Sequence, residues 1–216
     1  MDLPKSTVVN RFVAKEKFYS KTDISNRLRQ QFIDQIQKIT WANKIAPETL
    51  NISAGEYAEL QVFEVELKTK EFSERVLKQI DTHIPYPILF ILRFGEQRKA
   101  VMAYKQPYKN DQHKMKTEAY YGADWQTDLT LELKSNSVDG IYKNYLSQLN
   151  PRLDFAKQST AQDAVAQDKN YQKLQKEIDA INKKIKREVS TSKKHDLVHL
   201  RRELQKKMDE ISTGGK

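Results

Sequence analysis

The residues of this sequence best placed to do chemistry lie in ELQVFEVELKTKEF, residues 59–72. Side chains alternate along a strand, so Phe63, Val65 and Leu67 take one face and Glu64, Glu66 and Lys68 the other. Two carboxylates followed by an ammonium is the pattern of a Mg²⁺-dependent nuclease strand. The acids hold the metal, and a Lys two residues beyond the second acid stabilises or activates the attacking water. On that reading Glu64 and Glu66 are the metal ligands, Glu64, Glu66 and Lys68 the catalytic set, and Mg²⁺ the sole cofactor. The chemistry also asks for an acid on the preceding strand or turn, where the chain offers Glu48, Glu56 and Glu59. The same triplet equally makes a solvated strand face, whose cross-strand pairs contribute roughly 0.2–1 kcal/mol each.

A second cluster is basic. Lys183, Lys184, Lys186, Arg187, Lys193 and Lys194 crowd a short stretch, with Arg201 and Arg202 following. Residues 167–216 carry 14 Lys and Arg against 8 Asp and Glu, so +6 of the chain's net +9 lies there. Such a concentration suits contact with the phosphates of DNA, and it also suits the solvated flank of a coiled coil. Tyr120, Tyr121 and Trp125, preceded by Lys114 and Lys116, have the makings of a base-stacking surface. Filling the core is the commoner use of such aromatics, and for Trp125 the favoured one. His195 and His199 stand four apart, as paired metal ligands on a helix do, but with no Cys only Asp196 and Glu203 are near enough to complete a site. His83 suits a helix end. Six scattered glycines form no phosphate loop, and no GxSxG elbow occurs, which removes ATP use and serine hydrolysis from the candidates.

The elements that must position these residues follow from periodicity. Leu28, Phe32, Ile36 and Ile39 form a helical stripe with Thr22 or Asp23 as N-cap, ended before Pro47. TLNIS and ELQVFEVELK predict two strands joined by a turn at 54–57. KEFSERVLKQIDTHI returns to helical spacing through Phe72, Val76 and Ile80. PYPILFILRFGEQRKAVMAYKQ predicts two strands around Gly95, the first central because it is apolar on both faces. SVDGIYKNYLSQL closes the body with Ile141, Tyr145 and Leu149 in step. The expected fold is α+β (or α/β): a mixed-sheet domain over residues 1–150, a linker over 151–167, and a basic helical hairpin or coiled-coil arm over 168–212. In that arm Tyr171, Leu174, Ile178, Ile181 and Ile185 step by three and four, and Leu197, Leu200, Leu204, Met208 and Ile211 resume the seam.

With 38% hydrophobic residues and 31% charged, the chain can build a core while leaving much of itself in water. The absence of Cys excludes disulfides and thiolate metal sites. The longest apolar run, Ile88 to Leu92, is far below a membrane span, and the opening residues lack a signal-peptide pattern, so a cytoplasmic protein is expected.

Several blocks occur together in a distinctive order: LPKST at Leu3, KFY at Lys17, PETLNI at Pro47, QVFEVELK at Gln61, IPYPILFIL at Ile84, AYK at Ala103 and DW at Asp124. In them the chain resembles bacterial proteins grouped as domain of unknown function 4391, over about residues 1–150 and in the placement of a charged helical tail. Similar proteins tend to be encoded near helicases, methyltransferases and restriction-like genes, so the resemblance implies a link to anti-phage defence. It brings no catalytic residues. The leading expectation is an accessory subunit of a nucleic-acid-directed defence or restriction-type system, docking on a helicase or methyltransferase partner or on DNA. The alternatives are the Mg²⁺-dependent nuclease and a structural protein that dimerises through its C-terminal helices.

Overall fold

Six strands, each paired with its neighbours in sequence, form one mixed sheet: β1 Val8–Phe12, β2 Ile36–Ile45, β3 Leu60–Leu67, β4 Ile88–Phe94, β5 Gln97–Tyr108 and β6 Asp111–Gly122. This computed structural model describes residues 3–20, 23–108, 111–155 and 160–212. Helices α1 Asn26–Gln35, α2 Pro47–Leu50, α3 Glu74–Thr82 and α4 Val138–Leu149 complete the first of two units, Met1–Pro151. The second unit, Arg152–Lys216, holds α5 Ala161–Arg187 and α6 Thr191–Ser212. The fold is α+β. Among the described residues no helix is long and apolar enough to cross a membrane.

All strand pairs are antiparallel except β3 with β4. A parallel pair needs a crossover, and α3 supplies it. Its Val76, Leu77 and Ile80 are buried against Phe63, Val65, Leu67, Phe90 and Leu92 of the two strands it joins. Leu89, Ile91 and Met102 alternate onto the opposite face and are buried too, which explains a β4 with almost no polar residue. β4 turns into β5 through Gly95-Glu96 with Phe94 opposite Gln97. Of the two turn residues only Gly95 has a positive φ (58°), as the first central position of a II′ hairpin turn requires.

Two expectations need correction. The stripe Leu28–Phe32–Ile36–Ile39 is not one helix: α1 stops at Gln35, and Ile36 begins β2. A β-bulge between Ile36 and Lys38 inserts an extra residue, so two strand residues three apart both reach the core, and the bulge mimics a helical step. The N-cap of α1 is Ser25, whose hydroxyl accepts from the Leu28 N–H; Thr22 lies outside the described residues. Nor is TLNIS a strand. Pro47 starts the short α2, the Thr49 hydroxyl accepts from the Ala46 N–H, and Asn51 ends the turn in the left-handed conformation at φ 53°. Only Ser53 pairs, in a single bridge to Ser137.

In the second unit α5 begins at Ala161, inside the stretch read as linker, because Thr160 caps it by accepting from the Asp163 N–H. Three residues, Glu188 to Ser190, separate α5 from α6. Leu174, Ile178 and Met208 form the buried seam, with Tyr171, Leu204 and Ile211 packed on it, while Leu200 is exposed. The Gln167 side chain donates to the Ile211 carbonyl at 3.0 Å, so the start of α5 meets the end of α6 as an antiparallel hairpin must.

Candidate functional site

Glu64 and Glu66 both lie on β3, half-buried and on the same face. Their cross-strand neighbours decide what that face can hold. Thr40 stands opposite Glu64 and Lys38 opposite Glu66 on β2, while Arg93 of β4 stands beside Glu66 and pairs with Glu64 at 3.5 Å. Where a metal site would place another acid, this face places cations, and two carboxylates are balanced by two positive groups. Lys68 falls one residue past the end of β3. Its ammonium donates to the Ile33 carbonyl at 2.8 Å, in the last turn of α1. Lys15 reaches the same helix end, donating to the Ile36 carbonyl at 2.9 Å. Two ammonium groups thus satisfy carbonyls that α1 leaves open and complement the negative end of its dipole. Burial, then repulsion from Lys68, lowers the Lys15 pKa. Two of the three acids of the preceding segment are engaged elsewhere: Glu48 and Glu59 both pair with Lys44, at 2.6 and 2.7 Å. Among the described residues no group of three or more His, Asp or Glu is arranged to hold a metal ion. His199 faces Glu203 at 3.6 Å, exposed on α6. His83 ends α3 with its Nδ1 2.8 Å from the Gln79 carbonyl.

The strongest polar constellation is one that the sequence reading did not single out. Lys105 of β5 and Asp81 of α3 form an ion pair at 2.9 Å, each side chain 1% exposed. The ammonium also donates to three carbonyls at the end of α3 and beyond it: Asp81 at 3.1 Å, Ile84 at 3.0 Å and Tyr86 at 3.0 Å. The Tyr120 hydroxyl donates to the second Asp81 oxygen. The Lys105 backbone is held as firmly, its N–H donating to the Tyr142 hydroxyl at 2.7 Å and its carbonyl accepting from Tyr57 at 2.6 Å. Burial raises the Asp81 pKa and lowers that of Lys105, each opposed by the partner's charge. An ammonium so completely surrounded by acceptors is a fastener: it ties the α3–β4 connection to β5.

The arm's cations are arranged differently. Lys183, Lys184, Lys186, Arg187, Lys193, Lys194 and Arg202 are exposed, and Arg201 is half-buried with a 3.5 Å bond to Asn182. None of the eight forms an ion pair among the described residues. Val189, in the connection between them, is 96% exposed. Lys184, Lys186 and Arg187 occupy the last turn of α5, where a cation suits the dipole. Lys193 and Lys194 occupy the first turn of α6, where it does not, and that turn contains no acid.

A family model described as a domain of unknown function, DUF4391, matches residues 1–211. The chain belongs to the DUF4391 family. No curated protein and no solved structure matches it. In this DUF4391 protein, two of the blocks that carry the resemblance meet at the buried lysine: AYK contains Lys105, and IPYPILFIL supplies the Ile84 and Tyr86 carbonyls that it bonds. The available signal was Lys105 as a lone charge after AVMAY, and Asp81 four residues after Leu77, on the apolar face of a helix. Of the aromatic group, Tyr121 is buried, and Tyr120 and Trp125 are half-buried and pack on the core cluster. Lys116 pairs with Glu118 at 2.6 Å, and Lys114 lies on β6.

Proposed function

We propose that this DUF4391 protein is an accessory, nucleic-acid-docking subunit of a cytoplasmic defence or restriction-type system, with the basic arm as its phosphate-contacting element. The observation that carries the reading is the placement of Lys193 and Lys194. A cation in the first turn of a helix works against the dipole, by about 0.3–1 kcal/mol. Helix stability therefore does not account for these two residues, whereas an anionic partner would. The positive end of α6 and the exposed lysines around it would then act together on phosphate oxygens. The α+β body would serve as the docking surface for a helicase or methyltransferase partner.

The test is fluorescence anisotropy of a labelled duplex titrated with the full chain over a series of salt concentrations. Binding should weaken with a slope of about −0.9 per phosphate contacted, and Lys193→Glu with Lys194→Glu should remove about two contacts. Salt-independent binding, or none, would sink this reading and leave the arm as a dimerisation element. A second reading, the Mg²⁺-dependent nuclease on Glu64, Glu66 and Lys68, draws support from the β3–α3–β4 unit and from two half-buried acids on one strand face. The cations beside them weigh on the other side. Mg²⁺-dependent plasmid cleavage lost in both Glu66→Ala and Lys68→Ala would establish it.

A further inference from the structure

A cleft of about 240 Å³ opens in the first unit beside α3 and the strands β4 to β6. Its floor is apolar, from the buried Leu77, Leu92 and Val101. Tyr120 and Trp125 stand along it as aromatic walls. Tyr120 is fixed in place, since its hydroxyl is held by the buried Asp81. Lys70, Lys99 and a single acid, Glu74, also line it, Lys70 and Glu74 exposed and Lys99 half-buried. The Lys70 ammonium lies 5.8 Å from the Trp125 ring centroid, so cation and aromatic already adjoin. Neither lysine has an acidic partner among the described residues.

Size and chemistry narrow the occupant. Pockets for whole drug-sized molecules run to about 300–1,000 Å³, so this one has room for a single ring whose substituents stay outside. Aromatic walls over an apolar floor suit a flat ring with π-faces. Two ammonium groups in the lining without acidic partners suit an anion carried on that ring's substituent. Glu74 can accept from an N–H at the ring's edge. A flat ring, an N–H edge and a nearby anion occur together in a phosphorylated nucleobase.

We propose that this cleft binds one nucleobase with its attached phosphate. The ring enters between Tyr120 and Trp125, the phosphate meets Lys70 and Lys99, and Glu74 accepts from a ring-edge amine. The occupant is either a free mononucleotide or an unpaired base of a strand; the recognition chemistry is shared. The inference stands on the first unit alone and holds whether or not the arm binds nucleic acid.

The experiment is calorimetric titration of the full chain with the four ribonucleoside monophosphates, the matching phosphate-free nucleosides, and a single-stranded tetranucleotide. The same titrations on Lys193→Glu/Lys194→Glu protein keep any arm contribution apart. At least one monophosphate or the tetranucleotide should bind saturably. The phosphate-free nucleoside, and the Lys70→Ala/Lys99→Ala variant with its thermal midpoint unchanged, should each bind about tenfold more weakly or worse. A tetranucleotide about tenfold tighter than any monophosphate assigns the cleft to a strand; the reverse order assigns it to free nucleotide. No saturable binding by any of these probes overturns the proposal. So does binding that survives the double lysine variant undiminished, or a phosphate-free nucleoside that binds equally well.

Discussion

Lys105 and Lys193 are the same residue type in opposite circumstances. Lys105 is sealed from solvent with four acceptor oxygens between 2.9 and 3.1 Å, so its partners are all internal. Lys193 is exposed, unpaired and at the wrong end of a helix for its charge. The difference separates two uses of a cation. One is accounted for by the fold that encloses it. The other is opposed by its own helix, and no acid in that first turn offsets it.

The largest way to strain the enclosed network is alkali. Burial pushes the Tyr104 and Tyr145 phenols up to about 12, and those of Tyr57 and Tyr142 further. A phenol whose folded pKa is raised contributes stability that is intact below the unfolded value of 10.0 and lost as pH climbs above it. The loss approaches about 1.4 kcal/mol per buried phenol per pH unit. Lys105, whose pKa burial lowers, acts in the opposite sense as pH rises toward 10.5, one group against four. Denaturant midpoints should therefore hold up to about pH 10 and then collapse, with tyrosinate absorbance rising together with unfolding and not before it.

Next in size is Lys105→Met. It strands Asp81 in the core, which costs about 3–5 kcal/mol. Adding Asp81→Leu should recover part of the loss in denaturant melts; a double variant no better than the single one would mean the carbonyl bonds, not the ion pair, are what matter. The arm should behave in the opposite way. Lys193→Glu with Lys194→Glu should gain about 0.3–1 kcal/mol per site while duplex binding falls, so stability and affinity part company. Stability and affinity falling together would return these lysines to a structural role. The smallest effect belongs to the half-exposed Glu64–Arg93 pair. A double-mutant cycle with Glu64→Ala and Arg93→Ala should give about 0.2–1 kcal/mol, and a larger coupling would mark that face as more than solvated.

Strong period signals made much of the body legible in the sequence. β3, α3, β4, β5 and α4 follow from alternation or from three-and-four spacing over an uninterrupted run. Reading failed where two periods coincided, as at Ile36 and Ile39, whose separation by three is produced in a strand by a bulge. It failed again at Thr49, because a side-chain cap beside Pro47 outweighed β propensity. The strand-face acids were placed correctly, but their neighbours were not legible, since Lys38 and Arg93 reach them only through sheet register. The Asp81–Lys105 pair was hidden for a related reason: its members are far apart in sequence, and each sits in a run that periodicity assigns to the core. Gly55 shows how finely local choices are matched to distant ones. Asp139 of α4 accepts from the Glu56 and Tyr57 N–H groups at 3.0 and 3.1 Å, and a Cβ at Gly55 would overlap that carboxylate.

The strand order of the sheet has a consequence for how the molecule comes into being. Because β1 to β6 lie side by side in the order they are synthesised, every strand after β1 finds a partner already made as it leaves the ribosome. No strand must wait for a later segment to be inserted between it and its neighbour. Loop-closure entropy stays low at each addition, and the one long crossover, through α3, is closed by a helix that forms locally. The sheet can therefore be assembled vectorially, with α4 arriving last to pack against β5 and β6.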